Sequence, residues 1–174
     1  MYKVLIVDDE QLIRSGMIAR FQYLNFKFER IREAASGVEA LALLEKEPAD
    51  IVITDIKMPD MDGMTLIREA KEKYPGTQFV ILSGYAEFEY AETAIELGVK
   101  SYLLKPISND ELKRVMRKLF ETLEKERQME VEIFRKHQLE TEQKGWLQEK
   151  AVNHLWQDNA AFLTEEEAAQ LKST

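Results

Sequence analysis

Five short apolar runs recur between Lys3 and Leu104, and each is followed by a stretch whose apolar residues have helical spacing. The runs are KVLIV (3–7), RIREAA (30–35), ADIVITD (49–55), TQFVILS (77–83) and KSYLL (100–104). Runs this short, one of them (ADIVITD) rich in β-branched residues, read as strands, with RIREAA a short candidate. The intervening segments QLIRSGMIARF, GVEALALLEK, MTLIREAKEKY and EFEYAETAIEL read as amphipathic helices. Ser36 is placed to cap the second of them, Pro75-Gly76 stops the third, and Gly98 closes the fourth. Ser108 and Glu111 form a capping-box pattern that opens a fifth. A strand-helix unit repeated five times, with several strands almost continuously apolar, predicts a doubly wound parallel sheet covered on both faces. In such sheets functional groups gather at the carboxyl ends of the strands.

Composition narrows the chemistry. The chain carries no cysteine, which excludes disulfides, thiol catalysis and thiolate metal sites. Its formal net charge of −8 argues against binding phosphate backbones through its overall field. No apolar stretch approaches membrane-spanning length, and the opening MYKVLIVDDE is too short in its apolar part for a signal segment. The expectation is a soluble, cytoplasmic protein with no membrane partner.

The strand ends are unusual. ADIVITD runs straight into Asp55, and a loop with Pro59, Asp60, Asp62 and Gly63 follows. The first strand ends in Asp8, Asp9 and Glu10, the fourth in Ser83, and the fifth in Lys105-Pro106. Taken singly, an acidic pair after a strand is turn or cap chemistry, and Ser83 is a small strand-end residue. Taken together, these groups would share one edge of the sheet. Carboxylates crowded there would repel one another and hold protons more tightly. A hard divalent cation such as Mg²⁺ relieves that conflict while using only one or two carboxylates. Lys105 would add a compact positive charge, and Ser83 a hydroxyl. The set suits phosphoryl transfer to a carboxylate nucleophile.

The segments LIVDDE, ITDIKMPDMDG, ILSGY and YLLKPI, in this order and spacing, resemble the receiver domain of two-component response regulators over about residues 1–122. The resemblance implies a sheet order of 2-1-3-4-5 and a cis Lys105–Pro106 peptide. It implies that Asp55 accepts a phosphoryl group from a histidine kinase. Asp9 would bind Mg²⁺ directly together with Asp55, Asp8 would act through a metal-bound water, and Lys57 would add its backbone carbonyl. Lys105 and Ser83 would contact phosphoryl oxygens, Tyr102 would be the aromatic switch, and Lys57 and Tyr85 would tune the lifetime of the acyl phosphate. The chain is expected to act as a signalling switch, with self-phosphorylation and slow self-dephosphorylation its only chemistry.

Beyond Ile107 there is no proline, and Gly145 is the only glycine. Alternating charges predict one long helix, roughly 50 Å between Asn109 and Lys144 at about 1.5 Å per residue. Residues 123–174 are expected to be a helical linker with the start of a truncated downstream region. The heptad stripe Met116, Leu119, Leu123 continues through Glu126, Glu130, Ile133, His137, Glu140 and Lys144, a weak seam for a coiled coil. A shifted frame adds Phe134 but turns Arg127 and Thr141 inward. His137 and His154 carry no assigned chemistry. Trp146, Leu147, Val152, Leu155, Trp156, Phe162 and Leu163 are too apolar to stay bare, and Thr164 with Glu167 suggests a further capping box. Within the family, the closest resemblance is to regulators with a C-terminal helix-turn-helix output of the arabinose-regulator type. That output is not found in this sequence, so DNA would be reached only through a missing domain. A homodimer is expected through the fourth-helix, fifth-strand and fifth-helix face, through the long helix, or both. One rival is a stand-alone adaptor. Another is a Mg²⁺-dependent phosphatase, which calls for a second aspartate where Lys57 stands. An ATPase lacks its phosphate-cradling loop.

Overall fold

The computed structural model describes residues 1–84 and 88–160, with some helical side chains excepted. The chain divides into two units, Met1–Leu123 and Glu124–Thr174. The elements run β1 (Lys3–Val7), α1 (Gln11–Tyr23), β2 (Arg30–Ala34), α2 (Gly37–Lys46), β3 (Ile51–Asp55), α3 (Gly63–Lys73), β4 (Gln78–Ser83), α4 (Phe88–Glu96), β5 (Ser101–Leu104) and α5 (Asn109–Ala160). All strand pairs are parallel, and the order is β2-β1-β3-β4-β5.

Side chains alternate along each strand, so each inner strand feeds two cores. Leu5, Val7, Val52, Phe79 and Ile81 face a core with residues of α2 and α3. Val4, Ile6, Ile53, Val80 and Leu82 face the opposite one, closed by Met17 and Phe21 of α1 and by Leu112, Met116 and Leu119 of α5. Two buried faces explain why these strands read as unbroken apolar runs. Each fully buried side chain of this size contributes roughly 1.5–3 kcal/mol.

Local signals set the boundaries. Ser36 accepts from the Glu39 amide at 3.2 Å, and Ser108 from that of Glu111 at 3.1 Å, as their sequence positions imply. Gly98 ends α4 with a φ of +62°, a left-handed conformation that favours glycine.

At the C-cap of α2, Glu47 meets Lys3 at 3.0 Å and Arg30 at 2.9 Å, tying the helix to β1 and β2. Hydrogen bonds from Lys3 and then Arg30 outweigh burial and hold its carboxyl down at about 2. A depressed folded-state value means that the ion pairs stabilise the fold above the ordinary 4.5 and fade as pH falls through about 2. The side chain is partly solvated, so the contribution is modest. Glu47→Gln is expected to flatten the stability profile across that window. Urea midpoints at its two ends, compared with those of the parent, check this; parallel profiles would count against it.

The apolar stripe of α5 is buried through Leu123, which is 7 % exposed. Within the second unit, Met129, Val131, Ile133, Phe134 and Leu139 are each more than half exposed. Trp146 is also exposed, with the Lys150 ammonium 4.4 Å from its ring centroid. His137 is exposed. The remaining apolar side chains expected to pack, Leu147, Val152, Leu155, Trp156, Phe162 and Leu163, lie outside the described side chains, as do His154 and the Thr164–Glu167 pattern. Among the described residues, no helix is long and apolar enough to cross a membrane.

Candidate functional site

The strand order decides which loop residues meet. β1 lies beside β3 with Val7 opposite Thr54, so Asp8 and Asp55 emerge side by side. β4 separates β3 from β5, with Ser83 opposite Leu104. The next residue, Lys105, donates its amide to the Ser83 carbonyl at 2.7 Å. Its long side chain then crosses the end of β4. The Lys105 ammonium lies 2.7 Å from Asp55 Oδ1 and 2.8 Å from Asp8 Oδ2. The Lys105–Pro106 peptide is cis.

Both acids are deep. The Asp8 side chain is 1 % exposed, that of Asp55 11 %, and that of Lys105 21 %. Burial pushes the Asp55 carboxyl above the usual carboxylate range; Lys105 opposes this, and the charge of Asp8 adds to it. Burial would lower the Lys105 ammonium, but its bonds to Asp55 and Asp8 prevail and raise it. The second oxygens are also engaged. Asp8 Oδ1 accepts from the Glu10 amide at 2.9 Å, and Asp55 Oδ2 from the Lys57 amide at 2.8 Å.

The loop after Asp55 is held tightly. Asp62 caps α3 by accepting from the Thr65 amide at 2.7 Å, and Asp60 adopts a φ of +66°. The Gly63 amide donates to the Ile56 carbonyl at 2.8 Å. A methyl group on Gly63 would stand 2.1 Å from the carbonyl oxygen of Asp55, with backbone rather than a movable side chain in the way. Gly63→Ala is therefore expected to cost about 2–3 kcal/mol, as overpacking against a rigid partner does. It should also shift the Asp55 amide resonance. Unfolding curves and an amide correlation spectrum check both, and an unshifted Asp55 signal would show that the loop yields elsewhere.

The structure brings Asp8, Asp55 and Lys105 into direct contact. Ser83 ends β4 and is buried, so its hydroxyl belongs to the same strand edge. Tyr102 is half-buried and packs on the core with Phe79 and Ile81. Lys57 is exposed, with its ammonium 5.9 Å from the Tyr90 ring centroid. Asp9 is exposed next to Asp8. Tyr85 lies outside the described residues. Two residues that sequence reasoning missed help to shape the site. Arg14 reaches back from α1 to the Asp8 carbonyl at 2.7 Å, and Arg20 donates to the Ile107 carbonyl. An arginine one helical turn beyond an acidic loop is the faint signal that could have found Arg14.

Among the described residues, no three carboxylate or imidazole groups form a cage that could hold a metal. Mg²⁺ needs no such cage, because it keeps several waters and takes one or two carboxylates. The donors fit that habit. Asp8 and Asp55 each have both carboxylate oxygens already hydrogen-bonded and Asp9 is exposed beside them, so the oxygen donors that the family resemblance implies, Asp9, Asp55 and the Lys57 carbonyl, lie at one strand edge.

Comparison with known proteins identifies the family and the fold. The model of the response regulator receiver domain matches residues 4–117. The chain is 43 % identical to the uncharacterized transcriptional regulatory protein YesN of Bacillus subtilis over 112 residues, covering 64 % of this chain and 30 % of that protein. It is 37 % identical to the transcriptional regulatory protein HptR of Staphylococcus aureus over 123 residues, covering 71 % of this chain and 48 % of HptR. Thus the chain spans less than half the length of these curated relatives. Among solved structures, the receiver domain of AraT, a response regulator from Geobacillus stearothermophilus, superposes with a TM-score of 0.67 at 43 % identity. That match covers 72 % of this chain and 98 % of the other. A two-component transcriptional regulator AraC from Clostridium phytofermentans gives 0.66 at 32 % identity, covering 72 % and 97 %.

Proposed function

The chain belongs to the response regulator receiver family, and from that premise we propose that Asp55 is the phosphoacceptor of a two-component phosphorelay. A carboxylate oxygen of Asp55 would attack the phosphorus of a phosphohistidine on a partner kinase. The phosphorus–nitrogen bond breaks, the imidazole leaves and takes up a proton, and an acyl phosphate forms on Asp55. The observation that carries this reading is the Lys105 ammonium, fixed between Asp55 and Asp8. It supplies positive charge where phosphoryl oxygens arrive, and transfer through a loose transition state depends chiefly on positioning and charge. The Ser83 hydroxyl, on the adjacent strand end, would bind another of those oxygens. Asp9, Asp55 and the Lys57 carbonyl would hold Mg²⁺, with Asp8 acting through water. When bound, the ion would offset the negative charge of the carboxylates and the incoming phosphate.

Occupation of the site would draw Ser83 inward and let Tyr102 turn, changing the α4–β5–α5 face. That face, the exposed apolar residues of α5, or both would then form a homodimer. Because the relatives are named transcriptional regulators and are more than twice as long as the matched region, we place a DNA-binding output in the longer protein, working in the cytoplasm. Lys57 and Tyr85 would set how long the phosphoryl group persists. The protein is a signalling switch, not a turnover catalyst.

The test is incubation with acetyl phosphate and Mg²⁺, followed by mass spectrometry. One hydroxylamine-sensitive phosphoryl group should appear on the peptide that carries Asp55, and chelation of Mg²⁺ should prevent it. Label on another peptide, or label indifferent to chelation, would overturn the assignment.

A further inference from the structure

We propose that Arg14 is a positioning residue for the Asp8–Asp9 pair and thereby sets the affinity of the site for Mg²⁺. The inference rests on the phosphoacceptor reading above and goes beyond it, to a residue that touches neither phosphate nor metal.

The N-terminus of α1 lacks the usual means of fixing the loop before it. Its N-cap is Glu10, whose side chain makes no capping hydrogen bond, and the first turn contains no acid. The loop is held from two other directions. Asp8 Oδ1 accepts from the Glu10 amide at 2.9 Å. Arg14 Nη1 donates to the Asp8 carbonyl at 2.7 Å and to the Asp9 carbonyl at 3.4 Å. Arg14 Nε donates to Glu33 Oε2 at 3.2 Å, and its side chain is only 13 % exposed. Glu33 lies on β2, opposite Ile6 of β1. One guanidinium therefore joins α1, β2 and the acidic loop.

The two carbonyls that Arg14 grips belong to the peptide planes on either side of Asp9. Fixing both planes fixes the direction in which the Asp9 Cα–Cβ bond leaves the backbone. Asp9 needs this support most, because its side chain is exposed whereas that of Asp8 is locked by Lys105 and Glu10. A rigid fork is required. Arg14 meets the carbonyls through Nη1 and the carboxylate through Nε, two separate points of one planar group, whereas lysine offers all its donors from one nitrogen.

Isothermal titration of Mg²⁺ into the full chain tests the proposal, alongside labelling with acetyl phosphate over a range of Mg²⁺ concentrations. Arg14→Gln is expected to weaken Mg²⁺ binding by about tenfold or more, the usual effect of losing a partner that orients a ligand. Arg14→Lys should restore less than half of the lost affinity on a logarithmic scale. At saturating Mg²⁺ the labelling rate of Arg14→Gln should fall by a smaller factor than the affinity. Glu33→Gln, a change at an exposed strand position, should weaken binding in the same direction by about two- to threefold and remains informative if Arg14→Gln folds poorly. Mg²⁺ affinities within twofold of the parent in Glu33→Gln and in whichever Arg14 variants fold would overturn the positioning role alone. A parent chain that neither binds Mg²⁺ nor accepts phosphate would overturn the phosphoacceptor reading and this inference with it.

Discussion

Replacing Asp55 with asparagine is expected to abolish labelling by acetyl phosphate, by about 10³-fold or more, while making the unlabelled protein harder to unfold. The first effect follows from removing the proposed nucleophile, whose loss is not compensated by its neighbours. The second follows from where the carboxylate sits. Burial raises its affinity for protons, and the charge of Asp8 raises it further, despite Lys105. A group with a raised folded-state value favours the fold below its ordinary value of 3.8, and that contribution is lost as pH rises through the folded value. At neutral pH the ionised acid is therefore a liability. Asparagine removes it and leaves Lys105 bonded to Asp8. Melting curves at neutral pH without divalent ions should show Asp55→Asn above the parent, with the gap closing in acid. Mg²⁺ should raise the parent more than the variant, because an ion that binds only the folded chain stabilises by mass action. A variant that melts below the parent at neutral pH would mean that the Lys105 pairing outweighs burial.

Lys105→Ala should do the opposite to stability. It strands two buried carboxylates, Asp8 and Asp55, without their shared cation. Removing one side of a buried ionic pair costs about 3–5 kcal/mol, because the remaining charge stays out of water. Urea unfolding at neutral pH in chelator should show a loss of that order. Part of it should return on adding Mg²⁺, which would neutralise the same carboxylates, and part on lowering the pH until they protonate. Labelling should fall about 10²–10³-fold even with Mg²⁺ present, the usual effect of deleting one preorganised group at a developing charge. Arginine should not rescue it, since its planar fork cannot replace a point charge held at 2.7 and 2.8 Å from two acids on different strands. A stable Lys105→Ala variant that labels normally would remove the lysine from the mechanism.

Much of this was readable before any coordinates. The period of the apolar residues marked five strands, and Ser36 and Ser108 marked helix starts because capping is a local interaction. Asp55 stood out because a carboxylate is costly at the end of a fully buried strand. The order of the strands was not contained in periodicity and came from family resemblance. Arg14 was missed, and Gly63 was seen only as loop punctuation, for a shared reason. Each acts on the backbone of a residue in another element, through two carbonyls in one case and a 2.1 Å approach in the other. Side-chain type reveals chemistry, but it does not reveal which distant peptide group a side chain will touch. Asp8 and Asp9 were told apart in the sequence only by family resemblance, not by their residue type or spacing. The fold adds a physical difference, one buried acid with both oxygens engaged and one exposed acid.

The reach of Lys105 has a further consequence. Its strand, β5, lies at the margin of the sheet and pairs only with β4. The cation that would ready Asp55 thus arrives from one of the two edges of the sheet. On the phosphoacceptor reading, a molecule whose outer strand has peeled away would lose that charge and its chemistry, even if the inner strands survive. On that reading, competence to accept phosphate would thereby double as an inspection of that edge of the sheet.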